Sequence, residues 1–249
     1  MAMSGIDRFI AAAELANKQA FTTFSRLASG AGVAVHPAFN GECFQVKKSG
    51  PQHPDSVEVH GAVRLEQVPY KRTESGDGST AVKMQILMDS FECFKFRGTP
   101  SRRTAFLYNA YARVAYYKLH RGRWKTVLCI RYDFAGAKNA HPIFHAQLES
   151  GVPRAAISAL FPGLPPIDEM KDLHLGIRFP SANVVGATAL LKIAADHLPG
   201  TSFRAVLKAI QDQKFFQDWR CDCTTLDDPN SAKLLLSSGW YGSKFSPIT

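Results

Sequence analysis

The stretch ARVAYYKLHRGRWKTVLCIRYDF, residues 112–134, decides the fold predicted for this chain. Residues 112–120 and 125–134 are rich in β-branched and aromatic side chains, and the basic, Gly-containing tetrapeptide 121–124 lies between them. Two such runs joined by a short turn predict a β-hairpin. The second run is apolar on both faces near its start, so we expect it to lie in the interior of the sheet.

Alternating patterns on both sides of this hairpin predict further antiparallel strands. Apolar and polar residues alternate over residues 56–66 and again over 82–88. The second of these runs is expected to continue through residues 91–96 after a bulge or turn at 89–90. Residues 142–148 form another β-rich run, which we expect to pair back onto the hairpin.

Helical periodicity marks both ends of the chain. Residues 5–28 show apolar side chains at spacings of mostly three and four, and Gly30 ends the pattern. Three more helices are predicted, from Ser181 or Asn183 to His197, from Thr201 or Ser202 to about Trp219, and over residues 230–237. The expected fold is therefore α+β, with a central antiparallel sheet, an N-terminal amphipathic helix and a helical C-terminal third. We expect one domain over residues 1–249, with a possible division into 1–160 and 161–249.

Composition restricts the classes of partner and the compartment. With 249 residues, of which 45% are hydrophobic, the chain can bury a sizeable core. No segment reaches the roughly 18 apolar residues of a bilayer-spanning helix, so no membrane association is expected. The five cysteines are odd in number and scattered, and the first 30 residues lack the pattern of a secretory signal. A cytoplasmic location is expected.

A basic, aromatic segment runs from Lys95 to Lys125. It holds nine Lys and Arg residues without a single acid, interleaved with seven aromatic residues, whereas the whole chain has a net charge of +9. A polyanion with stackable bases fits this combination, so nucleic acid, either DNA or RNA, is the expected partner. The predicted binding residues are Arg102, Arg103, Arg113, Lys118, Arg121, Arg123, Trp124 and Lys125, of which Arg113, Lys118, Arg121, Arg123 and Lys125 are expected to share one surface.

A second group of residues has the chemistry of a hydrolytic site. Arg131 and Asp133 alternate on one strand, and His145 and Gln147 alternate on the next, so all four are expected on one face if the strands pair. His145, with His141 beside it, could transfer protons, Asp133 could orient the imidazole, and Arg131 could hold a phosphate. Such a set would serve metal-independent cleavage of a phosphodiester. An ion pair and histidines that brace a tight hairpin are the alternative.

Other motifs give no support for a cofactor or a metal. The spacing of His141 and His145 would suit a metal on a helix, but Pro142 and the β pattern disfavour a helix there. Walker, GxGxxG, GxSxG and zinc-finger patterns are missing from the sequence. Arg178 is expected either to brace the sheet or to reach Asp133. We therefore predict neither a cofactor nor a bound metal.

Three short motifs carry a resemblance to a group of proteins. They are Arg131-Tyr132-Asp133, the segment 141–145 (HPIFH), and Arg178-Phe179-Pro180. Their order resembles that in uncharacterised bacterial proteins of toxin–antitoxin and phage-defence loci. The resemblance implies a setting in bacterial immunity or toxicity and implies no activity.

Three functions remain open on the sequence. The first is a nucleic-acid-binding component of a bacterial defence or toxin-type system. The second is a metal-independent nuclease that uses His145, His141, Asp133 and Arg131. The third is a structural or regulatory subunit whose N-terminal helix binds another protein, encoded alongside it. Whether the chain is an enzyme is left open.

Overall fold

The computed structural model describes residues 5–69, 83–99, 104–134, 144–168, 178–181 and 186–218, together with residues 170, 184, 220 and 221. His141, Arg102 and Arg103 lie outside these residues, so the predictions made for them stay predictions.

The described strands form one sheet built around the hairpin. Their bounds are β1 Ala34–Pro37, β2 Phe44–Lys48, β3 Ser56–Pro69, β4 Lys83–Arg97, β5 Thr104–His120, β6 Arg123–Phe134, β7 Phe144–Leu148, β8 Ile167–Asp168, β9 Arg178–Pro180 and β10 Arg220–Cys221. The main order is β1-β3-β4-β5-β6-β7-β9, with β2 paired to β3. These pairings are antiparallel, whereas the short β8 and β10 pair in parallel with β6 and β5.

Helices cover both faces of the sheet to different extents. Their bounds are α1 Gly5–Gly30, α2 Arg154–Leu160, α3 Ala187–His197, α4 Gly200–Gln211 and α5 Phe215–Asp218. Side chains of α1, α3 and α4, such as Phe24, Leu190 and Val206, share a core with Ile86 and Val114 of the sheet. We call this side the helix face. The opposite side, which we call the polar face, is covered at one end by α2.

The expected hairpin is confirmed, with a tighter turn than the sequence suggested. His120 pairs directly with Arg123, so the loop has two residues, Arg121 and Gly122, rather than four. Both have positive φ, 50° and 74° respectively. This backbone matches the type I′ turn that suits the twist of a two-stranded ribbon. The interior position of β6, between β5 and β7, is also confirmed.

The bulge expected at residues 89–90 is wrong. β4 runs without interruption from Lys83 to Arg97, and the irregularity lies further along. Cys93 pairs with Asn109 and Phe94 pairs with Leu107, which leaves Tyr108 as an extra residue on β5. The alternation of residues 86–94 continues through Asp89 and Ser90 because Ser90 lies in the buried row between Met88 and Glu92.

The amphipathic helix predicted over residues 5–28 is confirmed as α1. The start predicted for the next long helix is wrong, because α3 begins at Ala187 with Gly186 as its N-cap and without a side-chain cap. α4 ends at Gln211, earlier than expected, and the short α5 follows. Residues 222–249 lie outside the described ones, so the helical C-terminal third stays a prediction. Among the helices of the described residues, none combines the length and apolarity that a bilayer crossing needs.

Candidate functional site

Five residues form one straight row across five strands of the polar face. His60 on β3 pairs with Phe91 on β4, and Phe91 pairs in turn with Tyr111 on β5. Tyr111 pairs with Asp133 on β6, and Asp133 pairs with His145 on β7. Directly opposed residues have side chains on the same face, so this cross-strand row is a continuous surface feature.

The first half of the cross-strand row is aromatic. The ring centroids of His60 and Phe91 lie 5.1 Å apart, and those of Phe91 and Tyr111 lie 6.0 Å apart and close to parallel. The guanidinium carbons of Arg113 and Arg131 lie 4.8 and 5.4 Å from the centroid of the Tyr111 ring. Tyr111 therefore joins the aromatic half of the row to a group of charged side chains.

The second half of the row brings together three of the four predicted catalytic residues. Arg131 donates from Nε to Asp133 Oδ1 at 2.8 Å, and His145 Nε2 lies 3.6 Å from Asp133 Oδ2. Gln147 pairs with Arg131 across the strands, as expected. The predicted convergence on one face is thus confirmed for the described residues.

Burial limits what this group can do to a substrate. The side chain of His145 is only 4% exposed, and that of Asp133 is 12% exposed. Burial raises the pKa of Asp133, and the nearby charges of Arg131 and His145 oppose that rise. The arrangement fits a bracing interaction between β6 and β7 better than proton transfer between His145 and a phosphodiester substrate.

Two acids, Asp89 and Glu149, complete the charged group. Arg113 Nη1 donates to Asp89 Oδ2 at 3.2 Å, and Arg113 Nε lies at ion-pair distance, 3.0 Å, from Glu149 Oε2. Glu149 also accepts from Arg131 Nη1 at 3.2 Å. Burial raises the pKa of Asp89 to about 6 against the opposing charge of Arg113. The alternation of β4 could have placed Asp89 on this face, but Glu149 follows β7 and gives no local signal.

The burial of Arg113 corrects one prediction about the nucleic-acid surface. Its side chain is 11% exposed and is neutralised by two acids, although the segment around it contains none. Its partners come from β4 and from the residue after β7. Arg113 therefore does not share an electropositive surface with Lys118, Arg121 and Lys125.

The basic segment is also divided in space, because β5 carries it from one end of the sheet to the other. β5 has 17 residues, and at about 3.3 Å per residue this amounts to about 55 Å of strand. Lys95 and Arg97 lie on β4 opposite the first residues of β5, and the turn with Arg121 follows the last residue of β5. The nine cations therefore cannot form one patch.

At the turn, five basic residues form a group that we call the hairpin tip: Lys118, His120, Arg121, Arg123 and Lys125. All five are exposed. Lys118 lies directly opposite Lys125, and His120 lies directly opposite Arg123, so the four strand residues share one face of the ribbon. Arg123 is neutralised by Asp168, to which its Nε and Nη2 donate at 2.9 and 2.6 Å. This hydrogen bond lowers the pKa of Asp168 below its usual range.

Trp124 is not part of an exposed surface, which corrects its assignment as a nucleic-acid contact. It is only 3% exposed and stacks on Tyr117, with ring centroids 5.4 Å apart. Both rings belong to the core under α2. Alternation places Trp124 on the opposite face of the ribbon from Lys125, where β8 pairs beside it. The spacing of residues in the sequence could not reveal that α2 and β8 bury Trp124.

The far end of β5 carries a second group of cations and aromatic rings. Lys95 Nζ lies 3.2 Å from the centroid of the Tyr108 ring, and the guanidinium carbon of Arg97 lies 5.3 Å from that of Phe106. Phe106 is buried, but Tyr108 is 43% exposed. These basic and aromatic side chains belong to the predicted segment from Lys95 to Lys125. None of the four is among the residues predicted to bind nucleic acid.

A buried carboxyl group lies on the helix face. Glu92 is only 4% exposed, and burial raises its pKa to about 8. A Cβ added to Gly186 would lie 2.6 Å from Glu92 Oε1, so the carboxyl group packs against the backbone just before α3. Gly186 itself has a φ of 49°.

The remaining predicted elements of a site give little. Arg178 lies in β9 opposite Gln147 of β7. Within the described ranges, no three His, Cys, Asp or Glu side chains group as metal ligands would. Of the two histidines considered as metal ligands, His141 lies outside those ranges.

The N-terminal helix turns its apolar side inward. Its buried residues include Phe21 and Phe24, which belong to the core of the helix face. That side is therefore not available to a partner protein. On its outer side, the exposed Leu15 borders a groove of about 600 Å³ between α1 and β2.

Comparison with known proteins finds no family model, no curated protein and no solved structure that matches this chain.

Proposed function

We propose that this protein binds nucleic acid and that the hairpin tip contacts the phosphate backbone. The observation that carries the proposal is the direct opposition of Lys118 and Lys125 on one face of the ribbon, with Arg121 in the turn beside them. Like charges at directly opposed positions of two strands destabilise the pair, and Asp168, which lies opposite Lys125 on β8, offsets only part of this charge because it also neutralises Arg123. A phosphate placed between the two lysines relieves this repulsion and releases counterions, which favours binding.

The shape of the hairpin tip supports the same function. Beyond Tyr117, the two strands continue to a two-residue turn, and the face that carries Lys118, His120, Arg123 and Lys125 is exposed. The other face is covered, since Trp124 is buried and β8 pairs with β6 beside it. An exposed basic face at the end of a hairpin can contact the phosphate backbone of a duplex or of a single strand. The net charge of +9 adds long-range attraction for such a ligand. The setting that we propose is the bacterial defence or toxin-type system implied by the resemblance.

The other two functions have weaker support. A nuclease that uses His145 would need the imidazole to reach a substrate, and its side chain is 4% exposed. A subunit that docks through α1 would need an exposed apolar helix side, and that side lies in the core. The groove beside Leu15 remains as a place for a protein partner.

Binding measured against salt tests the proposal. The full chain is titrated into fluorescently labelled DNA and RNA strands and duplexes, and anisotropy is recorded between 50 and 200 mM KCl. If three phosphates are neutralised on a duplex, affinity should fall about 40-fold over this range, since each contributes about 0.9 to the logarithmic slope. Absence of binding to all of these ligands at 50 mM KCl, or affinity that salt does not change, would contradict the proposal.

A further inference from the structure

We propose that Tyr108, together with Lys95, forms a binding site for an unstacked base, so that the ligand is single-stranded nucleic acid. This inference rests on the function proposed above and adds the class of ligand. It also assigns a base contact, which the hairpin tip does not provide.

A β-bulge turns Tyr108 outward. Leu107 pairs with Phe94 and Asn109 pairs with Cys93, so Tyr108 has no partner on β4. Leu107 and Ala110 on either side both remain in the core. The bulge therefore keeps the core intact and releases one large aromatic side chain from it. β-Bulges commonly aim a side chain at a ligand in this way.

The Tyr108 ring is exposed to solvent. Among the described residues, the large apolar side chains that are exposed are Leu15, Leu119, Val127 and Tyr108, so Tyr108 is the one aromatic member of this group. An aromatic ring left 43% in water stabilises the fold little. A base that stacks on the ring removes apolar surface of both partners from water, and the stack tolerates any base.

Cations lie beside the ring. The Lys95 ammonium lies 3.2 Å from the centroid of the Tyr108 ring, in a cation–π contact. Arg97 lies two residues further along the same strand, with its guanidinium carbon 5.3 Å from the centroid of the Phe106 ring. A base on Tyr108 would therefore have its flanking phosphates close to cations. This combination of stacking ring and backbone cations is the one that single-stranded nucleic acids need.

A duplex would not use this site, because its bases are stacked on each other and their faces are closed to a side chain. A strand without a complement offers those faces freely. The hairpin tip can neutralise phosphates of either ligand, so only Tyr108 discriminates between them.

The test compares two labelled 12-residue strands that have the same charge, one with bases and one with abasic sugars throughout. Wild-type protein should bind the strand with bases about 5- to 150-fold more tightly, the range expected from one stacked base. Tyr108→Ala should lose this preference and leave affinity for the abasic strand unchanged. Tyr108→Trp, which keeps a stacking ring, should retain it. Tm values of both variants should match that of the wild type, since Tyr108 is exposed.

The outcomes of this test distinguish a failure of the proposed function from a failure of the base site. If neither strand binds at 50 mM KCl, the proposed function is wrong and the inference falls with it. If both strands bind equally well to the wild type, or if Tyr108→Ala keeps the preference for bases, the function stands and the base site is wrong. A partner protein that binds at Tyr108 while both strands are ignored would also overturn the inference.

Discussion

Asp133 and His145 occupy directly opposite positions on β6 and β7, and Asp133 Oδ2 lies 3.6 Å from His145 Nε2. The pair lies at one end of the cross-strand row, and Arg131 Nε donates to the other carboxylate oxygen, Asp133 Oδ1, at 2.8 Å. Because both side chains of the pair are largely buried, their contact links β6 to β7 inside a group that also holds the ion pairs of Arg131 and Arg113 with Glu149. We interpret His145 as a structural residue on this basis.

His145→Ala should therefore lower the stability of the fold. Loss of the imidazole leaves a buried carboxylate with one partner fewer, which typically costs about 1–3 kcal/mol. Thermal or denaturant unfolding measures this loss. His53→Ala is the matched control, since His53 is exposed, and it should change stability by less than about 0.5 kcal/mol. Unchanged stability with loss of a nuclease activity would instead make His145 catalytic.

Asp89 should make stability depend on pH between about 4 and 7. Its pKa is raised by burial from 3.8 to about 6 in the folded protein. The folded state then binds the proton more tightly than the unfolded state, so the stabilisation is complete below pH 4 and is lost as the pH rises through 6. The wild type should lose up to about 3 kcal/mol relative to Asp89→Asn over this interval.

The measurement is the unfolding free energy of both proteins in urea at several pH values. Subtraction of the two curves removes the contributions of groups that titrate alike in both. A difference that stays constant with pH, or that favours the wild type more at pH 7 than at pH 4, would show that Arg113 outweighs burial at Asp89.

Gly186→Ala should destabilise the protein for two separable reasons. The added methyl group would meet Glu92 Oε1 at 2.6 Å, and a φ of 49° is costly for any side chain. Removal of the carboxyl group in Glu92→Ala relieves only the first cost. A double-mutant cycle in denaturant should thus show that Gly186→Ala costs less in the Glu92→Ala background, although not zero. Additive costs would mean that the carboxyl group moves aside freely.

Trp124→Ala should act on stability and not specifically on binding. Truncation of a buried aromatic ring that stacks on Tyr117 should cost about 3–5 kcal/mol. Affinity for a labelled strand, corrected for the folded fraction measured by circular dichroism, should stay close to that of the wild type. Weaker binding by a fully folded variant would restore Trp124 as a contact residue.

The local patterns predicted a good part of the sheet. Alternation from residue 112 to residue 134 was enough to give the hairpin, and it placed Arg131 and Asp133 on one face. The pairing of β7, residues 144–148, with β6 then brought His145 to Asp133. Strand periodicity decides faces because successive side chains point to opposite sides.

The features that could not be predicted from the sequence depend on contacts between residues that are distant in the chain. The segment around Arg113 contains no acid, yet Asp89 and Glu149 neutralise Arg113 from neighbouring elements. The sequence predicted Trp124 as an exposed stacking residue, but in the structure Trp124 lies in a core with α2, and β8 pairs beside it. The bulge at Tyr108 also followed no local signal, because two strands must be in register before an extra residue can be recognised.

The most direct test of the account measures how salt weakens nucleic-acid binding in two charge-matched double variants. Arg121→Ala with Lys125→Ala removes two cations from the hairpin tip. Arg26→Ala with Arg204→Ala removes two exposed cations from α1 and α4. For a single-stranded ligand, the tip variant should reduce the slope of log affinity against log salt by about 1.4, and the helix variant should leave it unchanged. Equal slopes in both variants would contradict binding through the hairpin tip.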